Sequence, residues 1–201
     1  MSDGGKAMAY KVNDIFYSLQ GEGHNAGRAA VFVRFSGCNL RCSFCDTDFA
    51  AYREMTAEEI VAQLRQHVAA EPVAGRLLCV LTGGEPTLQV DEALVSRLHE
   101  AGYEVAMESN GTKEPPANVD WLTVSPKERT VVTRCQELQV LFDGQGEVSD
   151  RGIQADYYYL QPCDVGDNSR NAQITGACVA YIKTHPRWRL SLQTHKLANF
   201  K

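Results

Sequence analysis

Hydrophobic positions along this chain recur at two periods that alternate with one another. Ala30-Val31-Phe32-Val33-Arg34-Phe35 is mostly apolar and β-branched or aromatic, which predicts a first strand. The period then changes. Thr56-Ala57-Glu58-Glu59 is a capping box, and the helix it opens puts Ile60, Val61, Leu64 and Val68 on one face. Leu77-Leu78-Cys79-Val80-Leu81 predicts a second strand, ending in Thr82-Gly83-Gly84, and Leu94, Val95 and Leu98 mark a second helix closed by Gly102. Further strands are predicted at Tyr103–Met107, Trp121–Val124, Leu138–Phe142, Tyr157–Leu160 and Trp188–Leu192. A third helix is predicted from about Asn171 to His185, with Ile174, Cys178, Tyr181 and Ile182 inward.

Strand and helix in alternation argue for an α/β fold with a parallel sheet covered by helices. Three to four helices are too few for a closed eight-fold barrel, so an open, partial (β/α) barrel with about six core parallel strands is expected. In barrels chemistry gathers at the C-terminal ends of the strands. The notable loops fall there: Cys38, Cys42 and Cys45 after the first strand, then Gly83-Gly84-Glu85, Glu108-Ser109-Asn110-Gly111, Ser125-Pro126-Lys127 and Gln161-Pro162. Loops are rich in Gly, Ser, Asn and Pro for reasons of turn geometry alone. That explains any one of them, but not why so many carry ionisable or amide side chains.

Composition narrows the class. A chain of 201 residues, 44% hydrophobic and 22% charged, is expected to form a single globular domain over 1–201. No apolar run approaches the length of a membrane span, and the N-terminus lacks the apolar core of a signal peptide, so cytoplasm is expected. A net charge of −5 argues against a nucleic-acid partner. The seven cysteines are an odd set, unlike a secreted disulfide framework. Cys79, Cys135, Cys163 and Cys178 sit among apolar neighbours and are expected to be inert core residues.

The other three are clustered as Cys38-x3-Cys42-x2-Cys45. Three thiolates this close can hold three irons of a four-iron cluster and leave the fourth open to a ligand. Zinc is the rival. Structural zinc needs four protein ligands, often as two separated pairs, and here there is one triple. His24 as a fourth ligand, or a catalytic zinc with water, stays open as an alternative. Closely spaced thiolates favour iron–sulfur.

The triple followed by Asp46-Thr47, together with Thr82-Gly83-Gly84-Glu85-Pro86, resembles the radical S-adenosylmethionine (SAM) enzymes. The resemblance implies a [4Fe–4S] cluster on Cys38, Cys42 and Cys45, with SAM on its open iron. It implies that Gly84 and Glu85 meet the SAM amino group and that Phe44 and Asp46 flank the adenine. Ser125, Lys127 and Gln161 would contact ribose or carboxylate. Asn110, Pro126, Pro162, Cys163 and Asp164 complete the implied SAM-binding set.

Leu19-Gln20-Gly21-Glu22-Gly23, Arg34, Cys45-Asp46-Thr47 and Gln193-Thr194-His195-Lys196 narrow the resemblance to the 7-carboxy-7-deazaguanine synthase family, from about residue 12 to the C-terminus. One departure is Ser109, where that family more often has threonine. The resemblance implies a lyase that contracts the ring of 6-carboxy-5,6,7,8-tetrahydropterin with loss of ammonia, in queuosine and deazapurine biosynthesis. The 5′-deoxyadenosyl radical would be the reactive species, so no side chain is singled out as catalytic. The residues suit that substrate. Gln20 and the backbone of Leu19 and Gly21 can pair with a pterin edge, Glu22 can accept from its amino-pyrimidine donors, and Arg34 can grip a carboxylate. Thr82, His195 and Lys201 are further implied substrate contacts. Thr47 is implied as the side-chain ligand of Mg²⁺, which prefers oxygen. A homodimer and a flavodoxin or ferredoxin reductant are also implied. Bland readings stand beside these: Arg34 as a surface ion-pair residue, Glu22 as a turn residue, Lys127 and His195 as solvated side chains. The alternatives are a glycyl-radical activase, and a non-catalytic zinc or iron–sulfur module with no need of Glu85, Lys127 or Arg34.

Overall fold

The structure, a computed structural model, describes residues 8–42, 45, 50–68 and 75–201. In chain order the elements are β1 Tyr10–Leu19, β2 Ala29–Phe35, β3 Arg53–Met55, α1 Ala57–His67, β4 Leu77–Gly83, a 3-10 turn Pro86–Leu88, α2 Glu92–Glu100, β5 Tyr103–Ser109, β6 Trp121–Val124, β7 Arg134–Phe142, β8 Gln154–Pro162, α3 Asn168–Thr184, β9 Trp188–Leu190 and α4 Thr194–Ala198. The strands form one open sheet in the order β3-β1-β2-β4-β5-β6-β7-β8-β9. From β2 to β9 every pairing is parallel, while β1 runs antiparallel to β2 and β3 antiparallel to β1. This is the open, mostly parallel α/β sheet that the alternating pattern predicts.

Side chains alternate across each strand, and the alternation divides the sheet into two faces. Val31, Val33 and Phe35 of β2, Cys79 and Leu81 of β4, and Val105 and Met107 of β5 face the helices and join the large core with Ile60, Leu64, Leu94 and Leu98. Phe16, Ala30, Phe32, Leu78, Val80 and Ala106 form a smaller cluster on the opposite, concave face. Burying Ile60 and Leu64 stabilises the packing of α1 by roughly 2 kcal/mol each. The capping box is formed in both directions: Glu59 N–H donates to Thr56 Oγ1 at 3.3 Å and Thr56 N–H to Glu59 Oε2 at 2.7 Å. Ile174 and Cys178 are the buried residues of α3, with Tyr181 and Ile182 partly covered.

Three elements are not foreshadowed by the pattern. β1 has its apolar alternation broken by a register shift between Val12 and Asp14, so that Val12 and Ile15 share the helix-facing core although they lie three apart. β3 and α4 have three and five residues and are too short to show a period. Cys79, Cys135 and Cys178 are buried as expected, whereas Cys163 is half-buried. Among the described residues no helix is long and apolar enough to cross a membrane.

Candidate functional site

Register places a row of polar residues across the concave face. Arg34 of β2 pairs with Thr82 of β4, and Glu108 of β5 pairs with Thr123 of β6, which in turn pairs with Glu137 of β7. Arg34, Thr82 and Glu108 lie one step beyond Phe32, Val80 and Ala106 of the apolar concave cluster, toward the C-terminal strand ends. There the sheet opens into a cleft of about 480 Å³. Thr82 Oγ1 donates to Glu108 Oε2 at 2.7 Å, and Gln20 Nε2 donates to Glu108 Oε1 at 2.9 Å. Burial pushes the Glu108 carboxyl upward and Glu22 adds to this, while the two donors and Arg34 oppose it. The Arg34 guanidinium lies 5.3 Å from the centre of the Phe16 ring, on the cleft wall. Its buried Nε–H has no hydrogen-bond partner among the described residues.

The loop after β1 carries the pterin-binding candidates and is clamped from three sides. Gln20 N–H donates to Arg28 O and Gly27 N–H to Gln20 O, both at 2.8 Å, which closes the turn. Glu22 Oε2 accepts from Gln139 Nε2 at 2.7 Å and Glu22 Oε1 from Gln193 Nε2 at 3.1 Å. Gly23 N–H donates to Ser191 Oγ at 3.0 Å, and His24 N–H to Glu137 Oε2 at 2.9 Å. Thr194 Oγ1 donates to Gly21 O at 2.7 Å. His195 packs against Gly21 so closely that a Cβ there would stand 2.6 Å from His195 Nδ1. Glu22 is therefore more than a turn residue. Burial, with Glu108 and Glu22 nearby, pushes the Glu137 carboxyl up to about 7 despite the His24 N–H.

The opposite wall is built from the loops after β2, β4 and β5. Gly84 N–H donates to Phe35 O and Glu85 N–H to Gly37 O, both at 2.9 Å. This docks the base of the cysteine loop on the Gly83-Gly84-Glu85 turn. Only glycine fits at position 84, where a Cβ would stand 1.9 Å from Gly37 O. Asn39, inside the cysteine loop, donates from Nδ2 to Thr112 Oγ1 at 2.7 Å, and Asn110 Nδ2 donates to Asn39 Oδ1 at 3.0 Å.

Leu19, Gln20, Gly21, Glu22, Arg34, Thr82, His195 and Lys201, the residues expected to meet substrate, line the cleft on one side. Gly84, Asn110, Ser125, Lys127, Gln161, Pro162, Cys163 and Asp164 line it on the other side, with Cys38, Cys42 and Cys45. Phe44, Asp46 and Thr47 lie outside the described residues. Pro126 and Glu85 are not among the lining residues. The Glu85 carboxylate is instead buried beneath the wall, where it accepts from Thr87 N and Oγ1, Ser109 Oγ and Asn110 N. Lys127 Nζ reaches Ser125 Oγ. Lys201 Nζ reaches Asp14 Oδ2 at 2.7 Å and sits 4.5 Å from the Phe16 ring centre. Asp164 pairs with Lys196 of α4 at 2.8 Å, which holds its carboxyl well below the usual range.

The motifs give no role to Glu108, Glu137, Gln139 or Ser191. The available signal was polar residues inside otherwise apolar strands. Glu137 and Gln139, two apart in Arg134-Cys-Gln-Glu-Leu-Gln-Val-Leu-Phe142, must share a face.

Three thiols lining the cleft suit an iron–sulfur cluster, and Gly84 lets the base of their loop pack directly on the turn after β4. The thiols are not drawn into a ligand set among the described residues. Metal binding itself supplies such ordering.

Comparison with known proteins agrees with this geometry. Residues 32–126 match the Radical SAM superfamily. A 7-carboxy-7-deazaguanine synthase from Bacteroides thetaiotaomicron is 46% identical, covering 96% of this chain and all of the relative. The synthase of Caulobacter vibrioides is 43% identical, covering 94% of this chain and 98% of its own. The crystal structure of QueE from Escherichia coli superposes with a TM-score of 0.71 at 25% identity, covering 92% of this chain and 94% of that one. Identity at this level over nearly the full length of both chains shows that the chain belongs to the 7-carboxy-7-deazaguanine synthase family of radical SAM proteins.

Proposed function

We propose that this protein converts 6-carboxy-5,6,7,8-tetrahydropterin to 7-carboxy-7-deazaguanine with loss of ammonia, as a radical SAM lyase of queuosine and deazapurine biosynthesis. The observation that carries the reading to the substrate is Arg34. A buried guanidinium N–H without a partner is costly, and a carboxylate brought in by a ligand satisfies it with charge. The buried Phe16 ring beside it, stacked on Phe32, backs the guanidinium on the cleft wall.

The remaining assignments follow from chemistry at the same wall. Gln20 and the backbone of Leu19 and Gly21 meet the pterin edge, and Glu22, its oxygens already oriented by Gln139 and Gln193, accepts from the amino-pyrimidine donors. Glu108, its oxygens oriented by Gln20 and Thr82, faces the ring from the cleft wall. Thr82 and His195 add polar contacts, and Lys201 covers the Phe16 side. Ser125, Lys127, Gln161, Asn110 and the Pro162-Cys163-Asp164 turn hold SAM. Glu85 holds the loop that presents Asn110. Cys38, Cys42 and Cys45 hold the [4Fe–4S] cluster, and Thr47 binds Mg²⁺ beside the substrate carboxylate. When bound, cluster and SAM supply the electron and the 5′-deoxyadenosyl radical that takes hydrogen from C6 of the substrate. The protein's share is to orient the pterin and to exclude water from the cleft. A flavodoxin or ferredoxin donor, a homodimer and a cytoplasmic location belong to the same proposal.

The test is binding to the reconstituted protein. Arg34→Ala is expected to weaken 6-carboxypterin at least tenfold and to leave pterin lacking the carboxylate unchanged. Equal loss for both ligands would remove Arg34 from the carboxylate, and no binding of either by the wild type would remove the pterin.

A further inference from the structure

Gln139 stands in the interior of β7, buried, with its side chain on the concave face. Its single amide nitrogen donates twice. One hydrogen goes to Glu22 Oε2 at 2.7 Å and the other to Gln161 Oε1 at 2.5 Å. Gln161 Oε1 also accepts from Ser191 Oγ at 3.2 Å, and Ser191 Oγ accepts from Gly23 N–H at 3.0 Å. Since Glu22 and Gly23 are neighbours in sequence, these bonds close a ring. Its members come from the loop after β1, the interior of β7, the end of β8 and the segment after β9.

The ring fixes more than position. With two donors aimed at its oxygen, the Gln161 amide has one satisfied orientation, because turning it over would set its NH₂ against that of Gln139. Gln161 therefore presents donors, not an acceptor, toward the cleft. Glu22, held through Oε2 by the same nitrogen, keeps its remaining acceptor capacity for a ligand.

We propose that Gln139 is a positioning residue that couples the substrate side of the cleft to the SAM side. This rests on the pterin reading of the site. A pterin on Glu22 holds the carboxylate against which the Gln139 amide rests, and so steadies the orientation in which the ring already sets Gln161 toward SAM. The second ligand then loses less conformational freedom on binding than the first. By linkage the same factor acts in both directions.

The test compares two affinities on the cluster-reconstituted protein under anaerobic conditions. The affinity for 6-carboxypterin, an aromatic analogue without a C6 hydrogen, is measured by calorimetry with and without saturating SAM, and no reductant is added. In the wild type SAM is expected to tighten the pterin about fivefold or more. In Gln139→Leu the ratio falls to about one. Gln139→Glu has the shape of glutamine but sets an oxygen against Glu22 and Gln161. It loses the coupling in the same way, and it serves if the leucine variant does not fold. A merely structural loss would weaken both ligands and leave the ratio as in the wild type. A wild-type ratio near one, or an unchanged ratio in a folded variant, overturns the coupling alone. A wild type that binds no pterin overturns the substrate reading and this inference with it.

Discussion

The Glu85 carboxylate accepts the backbone N–H of Asn110 at 2.7 Å, and that bond joins the strand-end loop of β4 to that of β5. Its other oxygen accepts from Thr87 N, Thr87 Oγ1 and Ser109 Oγ. Four donors thus reach this carboxylate, three of them on one oxygen, while Oε2 takes Asn110 N–H alone. Glu85→Gln turns one acceptor into a donor and leaves a buried N–H facing another. We expect a loss of about 1–3 kcal/mol. For a chain of this length that is a fall of about 3–10 °C in melting temperature. An unchanged melting temperature with SAM binding lost would mean that the carboxylate serves the ligand and not the loops.

Gly84→Ala tests the docking of the cysteine loop. The added methyl meets Gly37 O at 1.9 Å and Gly37 C at 2.5 Å, and backbone cannot yield as the end of a side chain can. The bond from Glu85 N–H to Gly37 O must break as the loop withdraws. Iron retained after anaerobic reconstitution should fall below about half of the wild-type value, with a stability loss of about 1–3 kcal/mol. Gly176→Ala, in α3 where nothing stands within 4 Å, is the control and should be neutral or stabilising by up to about 1 kcal/mol. Normal iron in Gly84→Ala would show that the loop docks elsewhere.

Glu137 should make stability depend on pH. Its carboxyl is pushed from 4.5 in the unfolded chain to about 7 in the fold, first by burial and then by Glu108 and Glu22. Between those values the folded state binds more protons, so its stability falls as pH rises through that window. The full contribution is present below about 4.5 and is lost above about 7. The change is on the order of 3 kcal/mol. Glu137→Gln keeps an acceptor for His24 N–H and stays neutral, so its urea midpoint should fall less between pH 5 and pH 8 than that of the wild type. Parallel curves for the two proteins would place the titration on other groups.

Much of this fold is legible in the chain because its central strands are buried on both faces. Cys79-Val80-Leu81 and Val105-Ala106-Met107 read as strands from composition alone. The loops at their ends carry motif residues that need no long-range information to be noticed. What was hidden depends on register. Glu108 becomes a site residue because β5 sets it beside Thr82 of β4, and Gln139 because β7 brings it level with Glu22 of a loop 117 residues earlier. No local pattern contains those pairings. Glu85 illustrates the converse. Its motif draws attention to a ligand contact, but the neighbouring loops occupy both of its oxygens.

The most direct measurement of the central claim is turnover. The protein is reconstituted anaerobically, given reductant, SAM, Mg²⁺ and 6-carboxy-5,6,7,8-tetrahydropterin, and the products are followed by mass spectrometry. We predict 7-carboxy-7-deazaguanine and one equivalent of ammonia, both abolished in Cys38→Ala. Cleavage of SAM to 5′-deoxyadenosine without the deazaguanine acid would contradict the proposed substrate. Zinc in place of iron, with SAM untouched, would contradict the enzyme reading itself.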